Sequence, residues 1–380
     1  MNPKENKRGV AQRGRLLPTP RRTDEIGREA ATGIGDFELR QTTLRLMRGE
    51  NLGRAEAENF LGALLSPAAT DAQVAAALAL LAVKGETVEE LAGMAEAMRN
   101  RAISVRCHHK RFIDTAGTGS SAAKTFNVST AAAFVIAGAG LPVAKHGSRA
   151  ATSYSGSADV LEALGVNTAA PPAIVERCLN EHGICFMFAP LFHGATARVA
   201  HVRRELGVHT TFNLLGPLTN PARAPFQILG VWHSALLEPV AAALSLLGTE
   251  KAWVVHGADG LDEITMTGQT FVAACSKGSS VEKFTISPEG FGLKRRSSDG
   301  IPGAGPIENA QLVRAILKGK AEGSFASARD LVIINAGAAL HIAGLAPNLR
   351  EAASLARESI DSGRAGSKLE ALITETNRKE

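Results

Sequence analysis

From about residue 109 onward, short stretches rich in β-branched and aromatic residues alternate with alanine-rich stretches. The first kind includes RFID, LPVAKHG, ICFMFAP, FQILGVW and KAWVVHG, and the second includes TAAAFVIAGAG and LEPVAAALSLLG. This alternation of strand-like and helix-like segments is typical of a mostly parallel sheet covered by helices on both faces. It predicts an α/β domain over residues 109–375, with any ligand bound at the C-terminal ends of the strands.

The preceding part of the chain has helical signals instead. In the segment TVEELAGMAEAM, apolar residues recur on one helical face, and Thr87 with Glu90 makes a capping box. We therefore predict a small N-terminal helical domain over residues 36–108, on which part of residues 195–210 packs. The predicted fold class is α/β, with this small α-helical domain and a larger domain built on a mostly parallel central sheet.

The basic charge of the chain is concentrated at its N-terminus. The net charge is +5, of which the first 22 residues contribute +6, so the other 358 residues sum to −1. Residues 1–35 contain no apolar segment of the kind found in secretory signals and are predicted to be a disordered basic tail. No apolar run approaches the ~20 residues that span a bilayer. The four cysteines lack CxxC spacing, and we predict a cytoplasmic protein with reduced thiols.

A loop rich in hydroxyl groups, DTAGTGSSAAKTFNVST, follows the first predicted strand. Asn127, Ser129 and Thr130 lie at the start of the next predicted helix, where free N–H groups and the helix dipole attract an anion. Gly117 and Gly119 would let the backbone approach a ligand closely. A capped turn that binds nothing has the same features, so this stretch alone leaves both interpretations open.

A second polar loop, KHGSRAATSYSGSADVLEALG, follows the next predicted strand and begins at Lys145. It combines Lys, His and Arg with several hydroxyl groups and leads into a helix near Ser157. Two such loops on consecutive strands favour a polyphosphate or a sugar phosphate as ligand. Lys145 taken alone would equally fit a solvated lysine at a strand end.

Two further features add charged groups. Asp262 and Glu263 follow a predicted strand, and paired carboxylates suit Mg²⁺, which keeps several waters and bridges to phosphates. Alone, the pair fits an exposed acidic turn better, but the two phosphate-type loops favour the metal. In the helical segment HVRRELG, Arg203 or Arg204 could hold a carboxylate by a bidentate pair, or could stay at the surface beside Glu205.

The order of these motifs resembles that of the anthranilate phosphoribosyltransferases. GTG…TFNVST, VAKHG, SGSADVLEALGV, VRRELG, TFNLLGPLTNPAR and GLDE follow one another as in that family, and KGETVEELAGMAEAM in the helical part is also similar. The resemblance covers about residues 37–375. It implies a nucleoside phosphorylase/phosphoribosyltransferase type of fold and a homodimer formed through the helical domain.

The resemblance also implies a reaction. The 5-phosphoribosyl group of phosphoribosyl pyrophosphate would pass to the amine of anthranilate with release of pyrophosphate, a step of tryptophan biosynthesis, with Mg²⁺ as cofactor. The partners would be these two substrates, with neither a membrane nor a nucleic acid. Because the anthranilate amine is neutral and nucleophilic at pH 7, no dedicated catalytic base is expected, and Lys145 and Arg203 would position the reactants.

Site residues follow from the same resemblance. It assigns Mg²⁺ to Ser129, Asp262 and Glu263, and anthranilate to Gly117, Ser148 and Arg203. The residues assigned to phosphoribosyl pyrophosphate are Gly117, Ser120, Ser121, Thr125, Asn127, Val128, Ser129, Thr130, Lys145, His146, Gly147, Ser148, Arg149, Ala150, Ala151, Thr152, Ser153 and Ser157.

The chain departs from the family pattern at two places. The family usually has GTGGDG where this chain has GTGSSA, so an Asp is replaced by Ser121 and two glycines are lost. We expect altered affinity for the donor or for Mg²⁺. The family also usually has KHGNR, and Ser148 stands in place of its Asn, which leaves open a different aromatic acceptor. A non-catalytic relative that binds nucleic acid through the basic tail is a third hypothesis. The near-neutral remainder of the chain and the retained Lys145 argue against it.

Overall fold

The computed structural model describes residues 38–119, 121, 123, 125–150, 155–297 and 303–378, with the main chain alone at Ser324. The predicted basic tail over residues 1–35 lies outside these residues. In the described part of the chain, no helix is long and apolar enough to cross a membrane.

The N-terminal part of the described chain forms a helical lobe of four helices. They are α1 (38–47), α2 (Arg54–Leu64), α3 (Asp71–Lys84) and α4 (Val88–Arg101). The predicted capping box is present, because the Thr87 side chain accepts from Glu90 N and Glu90 accepts from Thr87 N. The buried Glu90 carboxylate also accepts from Lys84 Nζ at 2.8 Å and from Leu52 N at 2.9 Å. It therefore fixes the turn that joins α3 to α4.

A seven-stranded sheet organises the rest of the described chain, in the order β3-β2-β1-β4-β5-β6-β7. Strands β1 to β5 are parallel, and β6 and β7 join antiparallel. This confirms the predicted mostly parallel sheet. The strands are β1 (Ile113–Asp114), β2 (Val143–Gly147), β3 (Ile184–Phe188), β4 (Phe226–Gly230), β5 (Lys251–Gly257), β6 (Thr270–Ser276) and β7 (Glu282–Ile286).

Strand β7 forms the edge of the sheet and pairs antiparallel with β6. The side chains of β7 are mostly exposed, so no alternation of apolar and polar residues marks this edge strand in the sequence.

Helices cover both faces of the sheet. They are α5 (Val128–Gly138), α6 (Ser157–Leu164), α7 (Pro172–Arg177), α8 (Ala189–Phe192), α9 (Ala197–Leu206), α10 (Thr211–Leu218), α11 (Leu237–Leu246), α12 (Pro306–Leu317), α13 (Ser324–Ile342), α14 (Leu349–Asp361) and α15 (Arg364–Thr376). The two faces have separate apolar cores. One joins Ile228 and Val255 to α5, α6 and α12 to α15, and the other joins Leu229 and Val254 to α9, α10, α11 and the helical lobe.

The strand order places a crevice at the centre of the sheet. From β1 the chain proceeds outward to β2 and β3, and it then returns to the other side of β1 to form β4 and β5. The loops after β1 and β4 consequently diverge at the C-terminal edge. Such a switch point is where open α/β sheets bind their ligands.

Candidate functional site

Two loops and a strand end converge at the switch point. The Gly-rich loop (115–127) follows β1, the main chain of Gly230 ends β4, and the acidic loop (258–269) follows β5. Thr118 donates to Gly230 O from its N–H at 2.9 Å and from its hydroxyl at 3.1 Å. On the other side, a Cβ added to Gly230 would lie 1.6 Å from Asp262 O. The three backbones therefore approach closely only because residue 230 has no side chain.

The start of α5 faces the acidic loop. Ser129 N donates to Glu263 Oε1 at 3.2 Å. The Thr130 hydroxyl is buried and, among the described residues, has no hydrogen-bond partner. The Asn127 amide caps no backbone N–H here. It donates to Ser155 O at 3.0 Å and accepts from Asn309 Nδ2 at 3.1 Å, so it joins the two polar loops to α12.

Lys145 lies beneath this helix start and is 4% exposed. Its ammonium contacts Thr115 Oγ1 at 3.2 Å and Ser129 Oγ at 3.4 Å. Burial lowers the pKa of Lys145, whereas the Asp114 and Glu263 carboxylates raise it. The lysine charge is thus set between two carboxylates at the base of the crevice.

Asp114 ends β1 and is fully buried. Its carboxylate accepts from Asn220 Nδ2 at 2.7 Å, from Ala116 N at 3.1 Å and from His146 N at 3.2 Å. Burial raises the pKa of Asp114, and the Lys145 charge opposes this shift. The carboxylate therefore holds the ends of β1 and β2 together. Beyond the position of Asp114 at a strand end, no sequence signal indicates this role.

The acidic pair lies against Lys145 and α5, and Glu263 is half-buried. Burial and then repulsion from Asp262 raise the pKa of Glu263 to about 8, although Lys145 and Ser129 oppose the shift. Two carboxylates share this small cleft with Thr115, Gly117 and Ser129. Each of the two carboxylates therefore opposes ionisation of the other.

Ser121, which replaces the family's Asp, connects two of the loops. Its buried hydroxyl lies 2.6 Å from Gly260 O and 2.8 Å from Ala123 O. A hydroxyl donates to such carbonyl oxygens, whereas an ionised carboxylate would repel them. Ser121 thus ties the Gly-rich loop to the acidic loop.

The loop after β2 is held by α6. The Arg149 guanidinium pairs with Glu162 at 2.7 Å and with Asp159 at 3.0 Å, and Asp159 accepts from Ala150 N and Gly156 N at 2.9 Å. In this structure Arg149 therefore anchors the loop to α6. Ser157 Oγ donates to the exposed Ser148 at its carbonyl oxygen, at 3.3 Å. Four of the residues assigned to phosphoribosyl pyrophosphate fall outside the described residues: Ser120, Ala151, Thr152 and Ser153.

Two buried histidines lie behind this loop. His146 Nδ1 lies 3.1 Å from Gly216 O, and its ring centroid is 5.0 Å from that of His193, which follows α8. Burial lowers the pKa of His146 to about 3 and that of His193 to about 4. Both rings are neutral at pH 7. His193 was not predicted from the sequence, although its position one short helix after β3 could have suggested it.

The two histidines predict a loss of stability in acid. The pKa of folded His146 lies below the unfolded value of about 6.5, so only the unfolded chain gains a proton as the pH falls. The stabilisation is complete above about pH 6.5 and decreases toward pH 3. Between pH 7 and 5, we expect the difference in unfolding free energy between wild type and His146→Gln to shrink by about 2 kcal/mol. Urea unfolding measures it.

The raised pKa of Glu263 has the opposite effect, because it favours the folded protein as the pH falls. Glu263 is present in both wild type and His146→Gln, so its contribution cancels in the difference between them. His193→Gln is a parallel test with the same expected sign. A difference that stays constant between pH 7 and 5 would contradict the neutral, buried state of His146.

On α9, two neighbouring arginines have different surroundings. The Arg203 guanidinium is half-buried and lies 5.0 Å from the centroid of the Phe212 ring, and its Nε is buried without a partner among the described residues. Burial lowers the pKa of Arg203. Arg204 is exposed. Of the two, Arg203 has the unsatisfied donor that an inward-facing carboxylate would need.

Two family models match the chain. The helical bundle domain of the glycosyl transferase family matches residues 40–102, and the a/b domain of that family matches residues 109–366. Together with the helical lobe and the charged crevice of the sheet, these matches define the class as a two-domain glycosyl transferase.

Individual relatives narrow this class. The chain is 48% identical to the anthranilate phosphoribosyltransferase of Moorella thermoacetica over 335 residues, which is 88% of this chain and 97% of that protein. The structure of the Thermus thermophilus enzyme of that name matches with a TM-score of 0.82 at 43% identity, covering 88% of this chain and 99% of that chain. The Saccharomyces cerevisiae enzyme, in complex with PRPP and Mg, matches with a TM-score of 0.81 at 29% identity, covering 89% and 97%. The chain belongs to the anthranilate phosphoribosyltransferase family.

Proposed function

We propose that this protein transfers the 5-phosphoribosyl group of phosphoribosyl pyrophosphate to the amine of anthranilate and releases pyrophosphate. The observation that carries the proposal is the crevice where Lys145, the acidic pair and the start of α5 meet. Cationic, hydroxyl and N–H groups there suit a diphosphate, and the carboxylates suit its metal. Family membership and 48% identity to the Moorella thermoacetica enzyme support the same reaction.

The donor set of the cleft fits Mg²⁺. Asp262, Glu263 and the Ser129 hydroxyl supply hard oxygen ligands. Burial first and repulsion from Asp262 second raise the pKa of Glu263, and a divalent cation would favour its ionised form. We propose that these three residues hold the ion, as the Mg bound in the yeast relative suggests. Bound there, Mg²⁺ would neutralise charge on the departing pyrophosphate.

The remaining groups position the substrates. Lys145, the Gly-rich loop and the loop after β2 would hold the donor, and the free Nε of Arg203 supports a pair with the anthranilate carboxylate. The neutral His146 and His193 add no charge beside an uncharged amine. Since that amine is already nucleophilic, the protein accelerates the reaction by orientation and by stabilising charge.

We also propose a homodimer through the helical lobe and domains divided at residues 108 and 109. Leu44 and Met47 support the dimer, because both are apolar and exposed on α1, at 47% and 66%. A cytoplasmic location stays a prediction. The tail on which the nucleic-acid hypothesis depends lies outside the described residues.

The test of function is the loss of anthranilate fluorescence with phosphoribosyl pyrophosphate and Mg²⁺, beside a control in EDTA. Arg203→Ala is expected to raise KM for anthranilate by about 10- to 100-fold, the worth of a hydrogen bond to a charged group. Arg204→Ala is the matched control, because this neighbour is exposed, and its KM should remain near that of the wild type.

Loss of fluorescence that needs both donor and metal would support the proposal. No loss at saturating substrates, with protein shown to be folded by circular dichroism, would refute it. If pyrophosphate were released with another aromatic amine instead, the acceptor would differ, and Ser148 would be the first residue to exchange for Asn. Equal effects of the two arginine substitutions would contradict the assignment of Arg203.

A further inference from the structure

An asparagine on α13 holds the acidic loop through hydrogen bonds to its main chain. Asn335 is 3% exposed, and its Oδ1 accepts from Ile264 N at 2.9 Å. Its Nδ2 donates to Ile264 O, also at 2.9 Å. One side chain thus satisfies both main-chain groups of one residue, as a neighbouring strand would do.

Ile264, the residue that Asn335 holds, immediately follows Glu263. Its side chain is fully buried in the core, so Ile264 is fixed on both its main-chain and its side-chain sides. Across the loop, Ser129 N holds the Glu263 carboxylate and Gly230 abuts the main chain of Asp262. The direction in which Glu263 leaves the backbone is therefore set by contacts on opposite sides, of which Asn335 supplies one.

The hydrogen bonds of Asn335 also show how it acts. Its second amide hydrogen goes to Leu331 O, one helical turn earlier, at 2.9 Å. Both hydrogens of the amide are consequently used within the protein, although Asn335 lines the same cleft as the acidic pair. An anion in the cleft would receive no hydrogen bond from it, so its influence on such a ligand passes through Ile264.

We propose that Asn335 is a positioning residue that holds the acidic pair in the geometry required for the metal-bound donor. This inference rests on the proposed function. Without the amide, the Ile264 N–H and C=O would be buried and unpaired, and the loop would relieve this by moving toward water. Glu263 would move with it. Groups that orient metal ligands typically account for 10- to 100-fold in metal affinity.

Two substitutions distinguish the hydrogen bonds to Ile264 from the packing of α13. Asn335→Ala removes the amide entirely. Asn335→Thr keeps a side chain of similar size, whose hydroxyl can bond to the carbonyl one turn earlier, but it cannot hold both groups of Ile264. Ser359→Ala is the matched control for a lost buried hydrogen bond, because Ser359 Oγ donates to Val135 O at 2.8 Å between α14 and α5.

The measurement is the dissociation constant of phosphoribosyl pyrophosphate by calorimetry without acceptor, once with Mg²⁺ and once with EDTA. The constant in EDTA divided by the constant in Mg²⁺ gives the contribution of the metal to donor binding. In both Asn335 variants we expect this ratio to fall by about 10-fold while binding in EDTA stays near the wild-type value. Ser359→Ala should leave the ratio unchanged.

A merely structural role would weaken binding equally with and without metal, and that result would overturn the proposal. An unchanged ratio in a folded Asn335→Thr variant would overturn it too. If wild-type protein bound no donor under either condition, the proposed function would fail first, which distinguishes the two failures. Thermal melting of each variant establishes that the protein used is folded.

Discussion

Gly230→Ala is expected to reduce kcat/KM by about 100-fold or more, because displacing a reacting group by about 1 Å costs this much. The added methyl group would lie 1.6 Å from Asp262 O, which is far inside contact distance, and the neighbour is main chain that cannot rotate away. Either β4 or the acidic loop must move. Movement of the acidic loop would displace Asp262 and Glu263, and movement of β4 would displace the Gly-rich loop that is bonded to Gly230 O. We therefore expect the loss in the Mg²⁺-dependent reaction measured by anthranilate fluorescence.

Gly268→Ala is the matched control for this substitution. Gly268 lies in the same acidic loop, where an added Cβ meets nothing within 4 Å. We expect activity within about twofold of wild type, as for surface changes that touch no special feature. Near wild-type activity of Gly230→Ala would show that the close approach of the two backbones has no functional importance.

Lys145→Met is expected to lower the unfolding free energy at pH 7 by about 3 kcal/mol or more, the usual cost of leaving a buried charge without its compensating partner. Methionine keeps most of the length of the side chain but leaves Asp114 buried without its cation. The loss should shrink as the pH is lowered, because protonation of Asp114 removes the uncompensated charge. Urea unfolding at several pH values measures this, and calorimetry should show loss of donor binding.

Lys283→Met serves as its control. Lys283 pairs with Glu238 at 2.7 Å, but both side chains are largely exposed, and such surface pairs contribute about 0–1 kcal/mol. If Lys145→Met destabilised the protein no more than this control, the charge of Lys145 opposite Asp114 would have no structural importance.

The sequence predicted those parts of the molecule that depend on local pattern. The strands of the parallel sheet are short apolar segments between alanine-rich helices, and the capping box at Thr87 is a local signal. The fold class followed from these, and the order of motifs indicated the family. Strand β7 escaped detection because its exposed side chains carry no alternation.

The parts that could not be predicted depend on contacts between distant segments. Nothing near Gly230 in sequence indicates that Asp262 will lie against it, and Asn335 is only one of several polar residues on α13. The choice between Arg203 and Arg204 depends on which face of α9 packs against Phe212. Local patterns do not specify these three-dimensional relations. The assignments of ligands to individual residues stay predictions until the variants are measured.

The apolar core under the helical lobe bears on how the protein unfolds. Buried side chains of α1 to α4 form one continuous cluster with α9, α10, α11 and with Leu229 and Val254 of the sheet. A fragment that ended at the domain boundary would expose this cluster to water on both pieces. The two sequence domains therefore do not correspond to two independent folding units, and the lobe and the sheet should melt in a single cooperative transition.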